Sequence, residues 1–123
     1  MQSQSRYENL PVYKKAQDLA VYFETLVRHF ERYHKYTIGA DFRNLSRRVL
    51  ILVAKANTQA VRLEYLTEAL DNLLELKILV HLGKEVKAFR SFKNFETAIK
   101  LVVDVSRQCE GWFRSRSSSR GTP

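Results

Sequence analysis

Helical spacing of apolar residues is the feature that most constrains the fold of this chain. Apolar positions recur three or four residues apart over most of the sequence, and only four glycines and two prolines interrupt 123 residues. Regularly spaced apolar residues with so few breakers favour long amphipathic helices over short strands joined by tight turns. The sequence therefore predicts an all-α protein.

Start and stop signals divide the chain into four helical segments. The first begins at Pro11, with Asn9 as a candidate N-cap, and is expected to fade in RYHKYTIG, where Gly39 marks the break. The second segment carries FRNLSRRVLILVAKAN. Polar NTQ is either a break or a kink before the third segment, for which Gly83 suits a C-terminal cap. Ser91 is the expected cap of the fourth segment.

Each segment has one apolar stripe that we assign to a common core. The positions are Val12, Ala16, Leu19, Phe23, Leu26, Val27 and Phe30; Phe42, Leu45, Val49, Leu52, Val53 and Ala56; Leu66, Leu70, Leu73, Leu76 and Val80; Phe92, Phe95, Ile99, Val102, Cys109 and Phe113. Four such helices with short links most simply form an antiparallel up-down-up-down four-helix bundle over residues 10–115. We expect residues 1–9 to be flexible and the Arg/Ser-rich residues 116–123 to be disordered.

Positive charge is the strongest compositional signal. The chain has a net charge of +8 and an isoelectric point near 9.8, which is typical of proteins that bind polyanions, although simple solubility is an alternative. The segment from residue 42 to 63 contains five basic residues and no acid: Arg43, Arg47, Arg48, Lys55 and Arg62. These five are the predicted contacts to nucleic acid or to an acidic protein surface, with Arg90 and the tail arginines as weaker candidates.

Sequence-specific recognition has little support. The chain contains no zinc-finger spacing, basic zipper or sheet with interleaved aromatic and basic residues. Tyr36 is either a base-stacking residue or an aromatic packed at a helix end, and helical spacing favours the packed interpretation.

Two helices are apolar on more than their core stripe. The additional positions are Leu50, Ile51 and Ala54 on the second helix and Leu63, Leu74 and Ile78 on the third. One bundle buries about one face of each helix, so we interpret Leu50, Ile51, Ala54, Leu74 and Ile78 as an interface in a homo-oligomer. The alternative is that they lie at the stripe edges, where exposed leucines are normal.

Catalytic, metal and cofactor sites are not predicted. The chain has no glycine-rich phosphate loop, no nucleophile with a convincing histidine partner and no metal-ligand cluster. Acidic residues on the third helix fit a solvated face, and the single Cys109 fits the core of the fourth helix in a protein of a reducing compartment. No secretory signal or membrane-spanning run is present, which predicts a cytoplasmic location.

Two families of four-helix proteins resemble this sequence. The opening LPVYKKAQDLA resembles the proteins encoded in intervening sequences of bacterial ribosomal RNA genes, but the second helix lacks the internal proline usual in that family. RRVLILVAKAN, LTEALDNLLELKIL and DVSRQCEGWFRS instead resemble the accessory variability determinant of diversity-generating retroelements. The Gly111–Trp112 pair before a basic end is the most specific element of that resemblance, which spans Leu10 to Ser115.

The second resemblance implies a specific function. Such proteins form a homopentameric barrel of four-helix bundles with a basic surface, associate with the element's reverse transcriptase, and bind RNA and DNA. They are required for mutagenic copying of a template repeat and for retrohoming, and have no catalytic activity of their own. The alternative is a stand-alone, RNA-associated structural protein of the ribosomal intervening-sequence type.

Overall fold

The structure of the protein, a computed structural model, describes residues 10–58 and 61–121, with side chains over 10–57 and 61–115. Within these ranges the chain is all α-helical and has no strand, which confirms the predicted fold class. Residues 1–9, predicted to be flexible, lie outside this description. The helices are α1 (Pro11–Arg28), α2 (Arg32–Lys35), α3 (Ile38–Thr58), α4 (Arg62–Glu85) and α5 (Phe92–Gly121).

The four long helices form a bundle in which neighbours in the chain are also neighbours in space. Contacts join α1 to α3, α3 to α4, α4 to α5, and α5 back to α1. The pairing is antiparallel, because Tyr22 late in α1 donates to the carbonyl of Asn94 early in α5 at 2.9 Å. Likewise, Arg62 at the start of α4 stacks on Trp112 late in α5.

The predicted core stripes of α1, α3 and α4 are confirmed almost throughout. All seven residues predicted in the core of the first segment are buried, including Phe30, which follows α1. Five of the six on α3 are also buried, and Leu45 is half-buried. The amphipathic spacing thus places one face of each helix in a shared apolar core. One assignment is wrong: Phe92, predicted in the core of α5, is 60% exposed, because it is the first residue of that helix and lies outside the packed turns.

Helix α1 begins at Pro11 as predicted, but its N-cap is Leu10, which makes no side-chain cap hydrogen bond. Pro at the first helical position costs nothing, since its missing N–H has no partner in the first turn. The predicted cap, Asn9, lies outside the described residues. The predicted break at Gly39 is wrong: α1 already ends at Arg28, and Gly39 is the second residue of α3.

Gly39 is needed for close packing and not for a turn. A Cβ atom at this position would lie 2.6 Å from Cγ1 of Val27 and 2.8 Å from the carbonyl oxygen of His34. The backbone of α3 therefore approaches both α1 and α2 more closely than any other residue allows. The chain reverses direction through residues 29–37, where α2 supplies one turn.

The end of α4 is a Schellman motif centred on a lysine. The Ala88 amide donates to the carbonyl of Gly83 at 2.9 Å, and the Lys87 amide donates to that of Lys84 at 3.1 Å. Lys87 has φ of 62°, the left-handed conformation that usually selects glycine. The predicted cap at Gly83 is therefore wrong: Gly83 lies inside α4, where its absent side chain makes room for the rings of Phe89 and Phe42.

Helix α5 begins as predicted. The Asn94 amide donates to the Ser91 hydroxyl at 3.2 Å, which is the N-cap bond expected of serine. The helix continues to Gly121, into the segment for which we predicted disorder. Side chains from Arg116 onward and residues 122–123 lie outside the described part of the chain, and the predicted disorder of this tail stays a prediction.

Candidate nucleic-acid interface

The basic residues of α3 are partly neutralised by acids on neighbouring helices. Arg47 pairs with Glu24 of α1 at 2.6 Å, and Arg48 pairs with Glu68 of α4 at 3.1 Å. Both pairs are largely exposed, so each contributes only about 0–1 kcal/mol to stability. The two arginines remain accessible to solvent, but each is paired with a carboxylate. The positive electrostatic potential of this face is therefore weaker than the sequence indicates.

Arg43 and Lys55 have different surroundings on the same helix. Arg43 is half-buried and makes no ion pair within the described residues. Lys55 is exposed, and its Nζ lies 5.9 Å from the ring centroid of Tyr65, within cation–π range. Both cations are placed where an approaching polyanion can reach part of the side chain.

Arg62 and Arg90 donate hydrogen bonds to backbone carbonyls at the C-terminal ends of helices. The Nε of Arg62 donates to the carbonyl of Ala56 at 2.7 Å, and Nη2 donates to that of Asn57 at 3.1 Å, which caps the C-terminus of α3. The Nη1 of Arg90 donates to the carbonyl of His29, the C-cap of α1, at 2.8 Å. Because these two arginines lie at opposite ends of the bundle, the six predicted contacts do not form one stripe.

A second basic surface lies where α1 and α4 end and α3 and α5 begin. We call this the loop end and define it as residues 28–37 and 84–93. It carries two acidic residues, Glu31 and Glu85, against seven basic ones: Arg28, Arg32, Lys35, Lys84, Lys87, Arg90 and Lys93. All of these basic residues are exposed except Lys35, which is half-buried.

The loop end also carries the exposed aromatic residues of the described chain. Tyr33 is 73% exposed, Tyr36 is 65% exposed and Phe92 is 60% exposed, whereas every other described Phe, Tyr or Trp is at least half-buried. The packed interpretation of Tyr36 is therefore wrong. The guanidinium carbon of Arg32 lies 5.9 Å from the Tyr36 ring centroid, and Nζ of Lys84 lies 5.9 Å from that of Phe92.

The sequence analysis did not predict the loop end as a basic surface, because it considered mainly the basic residues of the helix that is α3 in the structure. The relevant signal was present in RYHKYTIG and KEVKAFRS, two connections rich in basic and aromatic residues. Only the antiparallel arrangement of the helices brings both connections to the same end of the molecule. A cleft of about 490 Å³ opens there between Tyr33, Tyr36 and the last turns of α4.

The predicted oligomer residues fall into two groups. Leu50 and Ala54 are half-buried, and Leu50 packs against the core. Ile51, Leu74 and Ile78 are 45%, 57% and 58% exposed. On α4 and its C-cap, exposed apolar side chains lie four residues apart and form a stripe that runs towards the loop end: Leu74, Ile78, Leu82 and Val86.

Two side chains that could act as nucleophiles, Cys109 and Tyr22, have pKa values raised by burial. Burial raises the pKa of the Cys109 thiol to about 12, so the reactive thiolate is not formed at neutral pH. Burial also raises the pKa of Tyr22, whose hydroxyl instead joins α1 to α5. Among the residues that the structure describes, no group of three metal-ligating side chains occurs, and no helix is long and apolar enough to span a membrane.

Comparison with known proteins identifies one family. The family model described as bAvd-like matches residues 10–116, which is most of the chain and includes all of α1 to α4. Neither a curated protein nor a solved structure matches.

Proposed function

The chain belongs to the bAvd-like family, and from that premise we propose that it is the non-catalytic accessory protein of a diversity-generating retroelement. In this role it binds the element's reverse transcriptase together with RNA and DNA, and is required for mutagenic copying of the template repeat and for retrohoming. The match to the family model over residues 10–116 carries the proposal. The net charge of +8 and the small helical fold support it.

The nucleic-acid part of the proposal rests on charge and accessibility. A basic protein gains affinity for any polyphosphate by releasing condensed counterions, which requires no base-specific contact. The exposed cations of α3 and the loop end meet this requirement. We therefore expect binding without strong sequence preference and with a steep dependence on salt concentration.

Assembly into a homopentamer is the second part of the proposal. The exposed side chains of Leu74 and Ile78 on α4 and of Ile51 on α3 leave apolar area in water that a second subunit would cover. The number of subunits is taken from the family resemblance. In such a ring the basic side chains of each subunit are repeated about the symmetry axis, which multiplies the field acting on a polyanion.

The test is co-purification with the reverse transcriptase. We expect the full-length chain, co-expressed with the reverse transcriptase of its own element, to elute with that enzyme and to support cDNA synthesis with misread adenines. A chain with Arg47→Glu and Arg48→Glu, which reverses two cations that form exposed ion pairs, should retain helical circular dichroism but lose enzyme or nucleic-acid binding. Lys14→Glu with Lys100→Glu is the matched control, because these lysines form comparable exposed pairs on α1 and α5.

The results separate the proposal from its alternative. Failure of the chain to associate with the reverse transcriptase, together with retained RNA binding, favours the stand-alone protein of the ribosomal intervening-sequence type. Equal losses in the test and control variants would show that bulk charge, and not the α3 face, is responsible.

A further inference from the structure

Tyr33 and Tyr36 expose most of their side-chain surface and lie outside the hydrophobic core. Full burial of a large side chain contributes about 1.5–3 kcal/mol relative to exposure, yet these two rings are 73% and 65% exposed. The helix turn that carries them is well held, since the Thr37 hydroxyl donates to the carbonyl of Tyr33 at 2.8 Å. The rings are therefore presented to solvent on an ordered backbone.

Positive charge surrounds the two tyrosines. The guanidinium of Arg32 lies over the Tyr36 ring, and Lys35 follows in the same turn. Arg32 and Lys35 form no ion pair within the described part of the chain, so their charge is available to a ligand. On the α4–α5 connection, Lys87 is held in the left-handed conformation, where a lysine is strained and glycine would be favoured.

The cleft beside the tyrosines is lined by both apolar and polar side chains. Leu79, Leu82, Val86 and Ile38 line it together with the two rings, and the volume of about 490 Å³ is within the usual range for ligand sites. Asp41 also lines the cleft. A carboxylate at that position repels phosphate but accepts hydrogen bonds from the amino groups of nucleobases, so a base fits the cleft and the phosphates fit the surrounding cations.

Three aromatic rings pack against one another beneath the surface of the loop end. Phe42 packs against Phe89 with ring centroids 5.8 Å apart, and Phe30 packs against both rings from the side. Arg90 ties the second connection to the end of α1. A preorganised platform loses little conformational entropy when a ligand binds.

From these observations we infer that Tyr33 and Tyr36 form a stacking platform for the unpaired bases of single-stranded nucleic acid, with phosphates held by Arg32, Lys35 and the lysines of the α4–α5 connection. Stacking requires bases that are not already stacked in a duplex, so single strands are preferred. The loop end of a second copy is a poorer occupant, because the seven basic residues of each loop end would repel one another. The inference rests on the proposed function and assigns single-stranded nucleic acid as the ligand of the loop end.

Stacking is measured directly with 2-aminopurine placed in a single-stranded oligonucleotide, since its fluorescence falls when the base stacks on an aromatic ring. We expect the full-length chain to quench this signal and Tyr33→Ala with Tyr36→Ala to abolish the quenching. Affinity for single strands, measured by fluorescence anisotropy, should fall about fivefold or more per ring removed, while affinity for a duplex of equal length changes less than twofold. RNA and DNA strands are compared in parallel, and a preference for RNA would indicate contact with the 2′-hydroxyl.

Two controls separate stacking from general damage. Tyr33→Phe with Tyr36→Phe retains both rings and should bind single strands as the natural chain does. Val21→Ala truncates an exposed apolar side chain of α1, which is 58% exposed, and should have no effect. Sedimentation of each variant reports whether subunit association has changed.

The failures of the inference and of the proposed function are distinguishable. If the double alanine variant binds and quenches like the natural chain, the platform is wrong, while enzyme association and salt-dependent binding still stand. The platform is also wrong if the alanine substitutions dissociate the oligomer and the natural chain causes no quenching, because subunits then occupy the cleft. If the natural chain binds no nucleic acid at low salt, the nucleic-acid part of the proposed function fails with it.

Discussion

The guanidinium carbon of Arg62 lies 5.2 Å from the ring centroid of Trp112, so the residue that caps α3 also stacks on α5. One side chain thus joins three helices at the end of the bundle opposite the loop end. Sequence patterning assigned Arg62 to polyanion binding, and its contacts show in addition a structural role.

Removal of this side chain should destabilise the bundle. We expect Arg62→Ala to lower the free energy of unfolding by about 1–3 kcal/mol, because two charge-assisted hydrogen bonds to carbonyls and the stack on Trp112 are lost. Urea denaturation followed by circular dichroism measures the change. Arg107→Ala removes an exposed arginine of α5 and should stay within about 0.5 kcal/mol of the natural chain. Equal stability of the two variants would contradict the capping role.

A glycine at position 87 should stabilise the protein. Lys87 adopts φ of 62°, which costs a residue with a Cβ atom about 1 kcal/mol relative to glycine. Lys87→Gly should therefore raise the urea midpoint, even though glycine adds entropy to the unfolded chain. Lys84→Gly, which lies in the last turn of α4, should have the opposite effect. A lower midpoint for Lys87→Gly would show that the lysine side chain itself stabilises the turn.

Two helical glycines should respond oppositely to alanine. Gly39→Ala places a methyl group against Val27 and a backbone carbonyl of α2, and overpacking of this kind costs about 1–3 kcal/mol. At Gly111 nothing lies within 4 Å of the new Cβ, so Gly111→Ala should stabilise α5 by up to about 1 kcal/mol through helix propensity. Thermal unfolding of both variants tests the pair, and destabilisation by both would mean that Gly111 has a packing role.

The stability provided by Cys109 should decline in alkali. Burial raises the pKa of its thiol to about 12, so between pH 9 and 12 the unfolded chain releases a proton that the folded chain retains. The thiol's contribution is complete below pH 9 and falls by about 1.4 kcal/mol per pH unit within this window. The difference in unfolding free energy between the natural chain and Cys109→Ala should therefore be constant from pH 7 to 8 and shift by about that amount at pH 10. A constant difference throughout would show that the thiol is not buried.

Charge on the exposed stripe of α4 should prevent association. Leu74→Glu with Ile78→Glu puts two carboxylates where apolar side chains are 57% and 58% exposed. If this stripe is the subunit interface, sedimentation should show monomers with unchanged helicity, since burying unpaired charge is costly. Val21→Glu on α1 is the matched control. If the double glutamate variant forms the same oligomer as the natural chain, the Leu74–Ile78 stripe is not the subunit interface.

Sequence patterning predicted the helices and core well because both depend on local spacing. Core residues recur every three or four positions, the spacing of one helix face, from Val12 to Phe30 and from Phe42 to Ala56. The glycines at 39 and 83 were misjudged because their function is to admit Val27, Phe89 and Phe42 from other elements. No property of the local sequence shows how close those side chains come.

The charged surface was harder to predict for a related reason. Arg47 meets Glu24 and Arg48 meets Glu68 across sequence separations of 23 and 20 residues. Such pairs depend on the rotation of each helix about its axis, which spacing alone does not fix. The sequence shows the aromatic and basic residues of the loop end as two separate short segments. Their proximity in space follows only from the antiparallel arrangement of the helices.

The closed order of helices has a consequence for how the subunit forms. Because α1, α3, α4 and α5 each contact the next helix along the chain, most contacts close short loops, and helical proteins of this type fold in about microseconds to milliseconds. Subunits meet by diffusion at a rate that depends on their concentration, whereas folding of one chain does not. If the chain assembles as proposed, each bundle is expected to be complete before it encounters another, so the amount of protein in the cell would set the extent of assembly and leave the folding rate unchanged.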